Sequence, residues 1–237
     1  MTISLGQGIL GNDTIPLSSL QLIGISGHAG VGKDTVAQYL AEKYQNVYGE
    51  AFADPLKRAC AAAFGLPLEH FHDREIKEQE SIWGPSPRKI AQFVGTEMFR
   101  NGLNNLIPFP DTSHWIRLLE MRLTGLSAPP EGQGFYSPGD TVIIADVRFQ
   151  DEADWIQQNG GVLLTLERRG CNGNVGIQGH ASEAGFNSLR PERSWHVNND
   201  STLEALYETV DIILTKHCAG ILNLKLKETN GYSESSF

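Results

Sequence analysis

A glycine-rich segment that follows an apolar run constrains this 237-residue chain more than any other feature. The sequence Gly-His-Ala-Gly-Val-Gly-Lys-Asp-Thr occupies positions 27–35, directly after the apolar run 22–26. A helical pattern follows, with apolar side chains on one face from Val36 to Tyr44. Strand, glycine turn and helix in this order form the context in which a G-x-x-x-x-G-K sequence binds phosphate.

The segment contains the groups that a polyphosphate requires. Its glycines allow backbone N–H groups to curve around an anion, and the helix N-terminus adds the positive end of a dipole. Lys33 supplies a point charge for the outer phosphates. The predicted nucleotide-binding residues of the segment are Gly27, Ala29, Gly30, Val31, Gly32, Lys33, Asp34 and Thr35.

The residue after the lysine departs from the usual motif. A Ser or Thr normally follows the lysine and holds Mg²⁺ through its hydroxyl, but this chain has Asp34. A carboxylate beside a polyphosphate is repelled unless a divalent cation lies between them. We therefore interpret Asp34 as a direct or water-mediated Mg²⁺ ligand. The alternative is a plain glycine turn followed by a helix-capping aspartate.

Composition excludes several classes of function. A net charge of -9 argues against a general surface for DNA, RNA or anionic membranes, although nucleotides need only a few local cations. The three cysteines are widely spaced, show no metal-binding pattern and suggest a reducing compartment. No apolar run has the length of a membrane span, and no signal peptide is visible. The expected location is the cytoplasm.

Alternating strand and helix patterns predict an α/β fold with a parallel sheet and right-handed crossovers. The apolar run 141–146 is typical of a central strand that is covered on both faces. The other predicted strands are 20–26, 46–52, 162–166 and 194–197. Helices are predicted at 86–105 and 112–123, and helix starts at Asp54-Pro55 and at a Ser201-x-x-Glu204 capping box.

Ligands of such sheets bind at the carboxyl ends of the strands. Besides the glycine-rich segment, the polar residues predicted at these ends are Asp54, Asp146, Arg148, Arg168, Arg169, Asn199 and Asp200. Their convergence predicts one site at this edge of the sheet. Three alternatives stay open: Asp146 as a strand-end turn residue, Arg148 as an ordinary surface arginine, and Asp54 as the N-cap before Pro55.

Four polar residues of the predicted helix 86–105 recur at intervals of four and are therefore expected near one face. They are Arg88, Gln92, Thr96 and Arg100, which suit phosphate oxygens and base edges. A solvated helix face is the alternative.

Arg168 and Arg169 precede a glycine-rich segment, and this arrangement suggests a lid. The alternative is a basic strand end. His70 and His72 are expected at the surface rather than as ligands.

Together these motifs resemble the deoxynucleoside monophosphate kinases of tailed bacteriophages, a branch of the P-loop nucleoside monophosphate kinases. The resemblance covers about 21–215 and leaves out residues 1–19 and 125–140. It rests on Gly-Lys-Asp-Thr at 32–35, Ala-Asp-Pro-Leu-Lys at 53–57, Arg88, Gly-Thr-Glu at 95–97, Trp115, Ala-Asp-Val-Arg at 145–148, Arg168, His-Ala-Ser-Glu-Ala-Gly at 180–185 and Asn-Asp at 199–200.

The resemblance implies a P-loop NTPase fold with a five-stranded parallel sheet in the order 2-3-1-4-5, flanked by helices. It implies one kinase domain over 1–237, with its core at about 20–64 and 141–215. A helical acceptor-binding insertion is expected at about 65–125 and a short lid at about 168–185. A homodimer is plausible for such a family.

The implied reaction is transfer of the γ-phosphate of ATP to a deoxynucleoside monophosphate, mainly by positioning and charge neutralisation. Mg²⁺ is expected near Asp34 and Asp146, and the implied catalytic residues are Lys33, Asp54, Arg148 and Arg168. The implied substrate residues are Asp54, Lys57, Arg88, Gln92, Thr96, Trp115, Asp146 and Arg148. Arg168, Asn199 and Asp200 are expected at the ATP. The alternatives are a dephospho-CoA kinase-like enzyme and an ATP-binding switch.

Overall fold

The computed structural model describes residues 14–103, 106, 113–129, 132–171, 186 and 188–228. In this part of the chain five strands form one parallel sheet in the order β2-β3-β1-β4-β5. The strands are β1 (Gln21–Ser26), β2 (Val47–Glu50), β3 (Thr141–Val147), β4 (Val162–Glu167) and β5 (Ser194–Asn198). This architecture confirms the predicted P-loop NTPase fold and its strand order.

Helices cover both faces of this sheet. They are α1 (Lys33–Lys43), α2 (Asp54–Phe64), α3 (Glu69–His72), α4 (Pro87–Phe93), α5 (His114–Leu123), α6 (Gln150–Gln158) and α7 (Leu203–Ile212). A π-helical segment, Val94–Gly102, continues α4, and a second one, Ile213–His217, continues α7. No helix in the described ranges combines the length and the apolarity that crossing a bilayer requires.

The core lies in two layers because neighbouring residues of a strand point to opposite faces of the sheet. Val142 and Ile144 of β3 pack with the layer that contains α2, α5 and α6, and Ile143 packs with the layer of α1 and α7. All three side chains are fully buried. The position of β3 between β1 and β2 explains why its sequence is apolar almost throughout.

Two predicted helix starts are shifted by one residue. Thr202, rather than Ser201, caps α7, because its hydroxyl is the one that accepts the N–H of Ala205 at 3.3 Å. Asp54 is the first residue of α2 rather than its N-cap; its carboxylate instead accepts from Lys57 Nζ at 3.1 Å. Both helices nevertheless begin within one residue of the predicted place.

Candidate active site

A cavity of about 550 Å³ opens at the carboxyl edge of the sheet. The segments after β1, β2 and β3 form one side of it, and α4 with the π-helical segment forms the other. The size is that of an ordinary small-molecule site. Phe52, Leu56 and Phe71 add an apolar wall, as expected where part of a ligand is flat and apolar.

The wall is rich in cations although the chain as a whole is acidic. Among the residues that the structure describes, seven lysines and arginines line it, against four carboxylates. The cations are Lys33, Lys57, Arg74, Lys77, Arg88, Arg100 and Arg148, and the acids are Asp34, Glu78, Asp146 and Glu152. A concave site with one sign of charge in excess concentrates ligands of the opposite sign. The cavity is therefore suited to phosphate-bearing ligands.

The glycine-rich segment needs its glycines. Gly27, Gly30 and Gly32 have φ angles of 134°, 83° and 101°, a region that other residues rarely adopt. A Cβ atom at Gly27 would lie 2.3 Å from the carbonyl oxygen of Leu166. Lys33 begins α1, and its ammonium donates to the carbonyls of Gly27 and His28 at 2.6 and 2.8 Å. The predicted loop and its lysine thus form a compact cradle.

Asn199 supports this cradle from behind. It is 8% exposed, and its side-chain amide donates to the carbonyl of Val31 at 2.8 Å. A Cβ at Gly32 would lie only 2.7 Å from the same amide nitrogen. Asn199 is therefore packed against the loop rather than exposed in the cavity wall, and this contact could not be foreseen from its place after β5.

The other residues expected at the ATP lie outside the cavity wall. Asp200 accepts the backbone N–H of Arg169 at 2.6 Å and pairs with its guanidinium at 3.1 Å. Arg168 is exposed at the end of β4. Most of the predicted lid, residues 172–185, lies outside the described residues.

Asp146 joins two loops. Its carboxylate accepts the backbone N–H groups of Phe52 and Ala53, both at 2.9 Å. Burial raises the pKa of Asp146, while these N–H groups and the nearby Arg148 act to lower it. Asp146 therefore ties the end of β3 to the turn that begins α2, while it also lines the cavity. Asp54 is not among the lining residues, whereas Lys57 is.

The four-residue stripe of polar side chains is confirmed as one face. Arg88, Gln92, Thr96 and Arg100 all line the cavity. A regular α-helix would rotate such a stripe steadily away from its starting direction. The helix becomes π-helical at Val94, and the wider i→i+5 turns keep Thr96 and Arg100 on the side of Arg88 and Gln92. Sequence spacing predicted the common face but not this change of helix type.

Trp115 fixes the change of helix type. It is 7% exposed, and its indole N–H donates to the carbonyl of Gly95 at 3.0 Å. A Cβ at Gly95 would lie 2.5 Å from Leu56, so α2 approaches the π-helical segment closely. Trp115 also lines the cavity, while its indole N–H is bonded to the π-helical segment.

Several lining residues were missed by sequence reasoning. Arg74 and Lys77 come from the aperiodic stretch between α2 and α4, where no pattern marks them. Arg74 Nη2 lies 3.9 Å from the point that a Cβ of Gly30 would occupy, which places its guanidinium beside the loop. Glu152 could have been noticed as an acid in the first turn of α6. His72 also lines the cavity, although it is exposed as expected.

The side chains around the cavity suit a Mg²⁺ ion that is bound by few protein ligands. Among the described residues no group of three or more His, Cys, Asp or Glu could hold a metal ion. Magnesium in nucleotide sites keeps several waters and binds one or two carboxylates together with the phosphates. Asp34 fits this requirement, because its exposed carboxylate lines the cavity next to Lys33. Both oxygens of Asp146 already accept N–H groups.

Comparison with known proteins agrees with this geometry. No protein-family model matches the chain. The chain is 34% identical over 199 residues to the "Putative deoxynucleotide monophosphate kinase" of Acanthamoeba polyphaga mimivirus, and the alignment covers 80% of this chain and 93% of that protein. The alignment covers almost the whole relative and so extends far beyond the phosphate loop. The chain therefore belongs to the deoxynucleotide monophosphate kinase family.

Proposed function

We propose that the chain transfers the γ-phosphate of ATP to a deoxynucleoside monophosphate and so supplies precursors for DNA synthesis. An oxygen of the acceptor phosphate bonds to the γ-phosphorus, and the bond from that phosphorus to the β–γ bridging oxygen breaks. The products are ADP and a deoxynucleoside diphosphate. The observation that carries the proposal is the cation-lined cavity, which joins the glycine cradle to a polar and aromatic wall.

ATP is proposed to bind with its phosphates on the cradle formed by residues 27–35. The backbone N–H groups and the start of α1 face the anion, and the Lys33 ammonium exchanges a loop carbonyl for a phosphate oxygen. Asp34, with Asp146 behind it, is proposed to hold Mg²⁺, which when bound neutralises charge on the β- and γ-phosphates. The proposed contacts of ATP also include Arg168, Asn199 and Asp200. Of these, Asn199 and Asp200 are proposed to lie near the adenine.

The acceptor is proposed to lie against the second wall. Arg88 and Arg148 bind its phosphate and the migrating group, since guanidinium forks match phosphate oxygens. Gln92 and Thr96 are 9% exposed and offer amide and hydroxyl groups for the deoxynucleoside. Lys57, from the side after β2, and Trp115 also line the cavity and are proposed to contact the acceptor. Asp54 is proposed to orient the acceptor through its ion pair with Lys57.

Thiol labelling tests the place of the triphosphate. The Cys171 sulfur lies 3.6 Å from the Cβ position of Gly30, at the loop. We expect saturating ATP with Mg²⁺ to slow alkylation of Cys171 at least about fivefold, because the phosphates cover this thiol. Cys60 and Cys218 serve as internal controls, since both are buried and burial raises their pKa to about 11. Mass mapping that shows no protection of Cys171 would contradict the proposed phosphate position.

The activity itself is tested by ADP formation from ATP and Mg²⁺ with each dNMP and NMP in turn. We expect at least one dNMP to stimulate ADP release strongly, and excess chelator to abolish it. Dephospho-CoA is offered in parallel, because its phosphorylation in preference to every dNMP would favour a dephospho-CoA kinase-like enzyme. ATP hydrolysis that no acceptor stimulates would instead indicate a binding switch.

Further features of the family expectation stay proposals. We propose a single domain over residues 1–237, with the acceptor-binding insertion at about 65–125 and the lid at about 168–185. Formation of a homodimer, location in the cytoplasm of a host cell and a bacteriophage origin stay predictions.

A further inference from the structure

Glu152 connects two walls of the cavity. It is the third residue of α6 and is only 3% exposed. One carboxylate oxygen accepts the backbone N–H groups of Arg148 at 2.8 Å and of Phe149 at 3.1 Å. The other oxygen accepts from the Arg100 guanidinium at 2.6 Å. One carboxylate therefore links the turn that carries Arg148 to the π-helical segment that carries Arg100.

Arg100 is held by this turn in two more ways. A second nitrogen of its guanidinium donates to Asp151 at 2.6 Å. The guanidinium carbon lies 3.7 Å from the centre of the Phe149 ring, in a cation–π contact. The side chain of Arg100 is 13% exposed. The π-helical wall and the turn after β3 are thus bound to each other at three points.

Helix capping alone does not account for this carboxylate. A glutamate at the third helical position often accepts the N–H of the N-cap residue, but a neutral glutamine offers the same acceptor oxygen. Burial of a carboxylate is costly unless a cation and hydrogen bonds compensate it. All three partners of Glu152 are donors, and one of them is Arg100. Burial raises the pKa of Glu152, while Arg100 and the two N–H groups act to lower it. Because these partners are all donors, they stabilise the ionised form, and the tie to Arg100 rather than the cap accounts for a carboxylate at this position.

We propose that Glu152 is a positioning residue that holds Arg148 in the reactive orientation and couples it, through Arg100, to the wall that binds the acceptor. This inference rests on the proposed kinase function. Arg148 follows β3 on a short turn, and its backbone N–H is bonded directly to Glu152. A displacement of about 1 Å at such a group costs roughly 100-fold in rate. The carboxylate therefore acts on the reaction without touching a substrate.

The test is a double-mutant cycle in the full-length protein. Glu152→Gln keeps an acceptor oxygen for the two N–H groups and removes the charge opposite Arg100. We expect kcat for the best dNMP to fall about 10- to 100-fold, while ATP binding, followed by titration with a fluorescent ATP analogue, changes little. In an Arg148→Ala background the same change is expected to cost less than about twofold, because it acts through Arg148.

Asp151→Asn is the matched control. Asp151 binds the same guanidinium but is 37% exposed and bonds neither backbone N–H group of the turn. We expect it to change kcat by less than about threefold, as is usual for an exposed ion pair. An effect as large as that of Glu152→Gln would show that any weakening of Arg100 suffices, and would overturn the role given to Glu152.

Three results decide the inference. A folded Glu152→Gln variant with wild-type kcat would overturn it. The inference would also be overturned if the kcat losses of Glu152→Gln and Arg148→Ala multiply in the double mutant. If circular dichroism shows that Glu152→Gln does not fold, Glu152→Asp takes its place in the same cycle, because the shorter side chain weakens the contacts with Arg100 and with the two N–H groups. Losses in kcat that multiply fully with those of Arg148→Ala would again contradict the inference. A wild-type protein that phosphorylates no dNMP would remove the proposed function, and this inference with it.

Discussion

Replacement of Arg148 by alanine is expected to lower kcat by about 10³- to 10⁵-fold, with a far smaller effect on ATP binding. Arg148 directly follows β3 and lines the same side of the cavity as the glycine cradle. Arginines that neutralise a migrating phosphoryl group act mainly in the transition state, so their loss appears in kcat. Arg168→Ala is expected to act in the same direction, because this residue begins the predicted lid.

The comparison variant for both is Arg58→Ala. Arg58 is an exposed arginine of α2 that does not line the cavity, so it reports the effect of losing a surface charge. Steady-state kinetics with varied ATP and varied dNMP separates kcat from the two KM values. Near-normal turnover in both the Arg148 and Arg168 variants would contradict the arrangement of arginines around the transferred phosphate. An equal loss in the Arg58 variant would make the effect non-specific.

Gly27→Ala is expected to be the most damaging change in the glycine cradle. The φ angle of 134° is strained for alanine, and the new Cβ would meet a backbone oxygen at 2.3 Å. A backbone atom of β4 cannot move aside as a flexible side chain can. We expect a loss of about 4 kcal/mol or more in the free energy of unfolding, which is exceptional for one substitution, together with loss of ATP binding.

Gly139→Ala isolates the backbone strain from the steric overlap. Gly139 has a φ of 91°, and no atom of the described residues lies within 4 Å of a Cβ at this position. The expected cost is about 1–2 kcal/mol for the left-handed backbone alone, with ATP binding retained. Thermal or urea unfolding and titration with ATP measure both effects. Equal destabilisation by the two alanines would mean that the contact with Leu166 is unimportant.

Local sequence patterns were sufficient for the framework of this protein. The apolar run at 141–146 predicted a central strand, and β3 lies between β1 and β2 with its side chains buried on both faces. The spacing of Arg88, Gln92, Thr96 and Arg100 predicted a common face, which lines the cavity. Such patterns are readable because strand and helix periodicity is a property of neighbouring residues.

Tertiary contacts decided what those residues touch. Asn199 was expected at the ATP from its place after β5, and the structure adds a contact that this place does not indicate: its side-chain amide donates to the carbonyl of Val31, 168 positions away in the chain. Glu152 meets Arg100 across a separation of 52 positions. Arg74 reaches the cradle from a stretch without periodicity. No local pattern carries information about such pairs, since they form only when the elements pack.

The sequence by itself therefore determined the phosphate cradle, the order of strands and helices, and the side chains available to the site. A left-handed glycine turn before Lys33 and an alternation of strands with helices depend on short-range sterics and hydrogen bonds. Only the tertiary structure decided how these parts meet: the π-helical turn that keeps Arg100 in the wall, and the carboxylates of the half-buried Asp146 and the buried Glu152 that hold the loops. Each carboxylate has a partner that is distant in sequence, Phe52 for Asp146 and Arg100 for Glu152. The cost of burying their charge is met only in the folded protein.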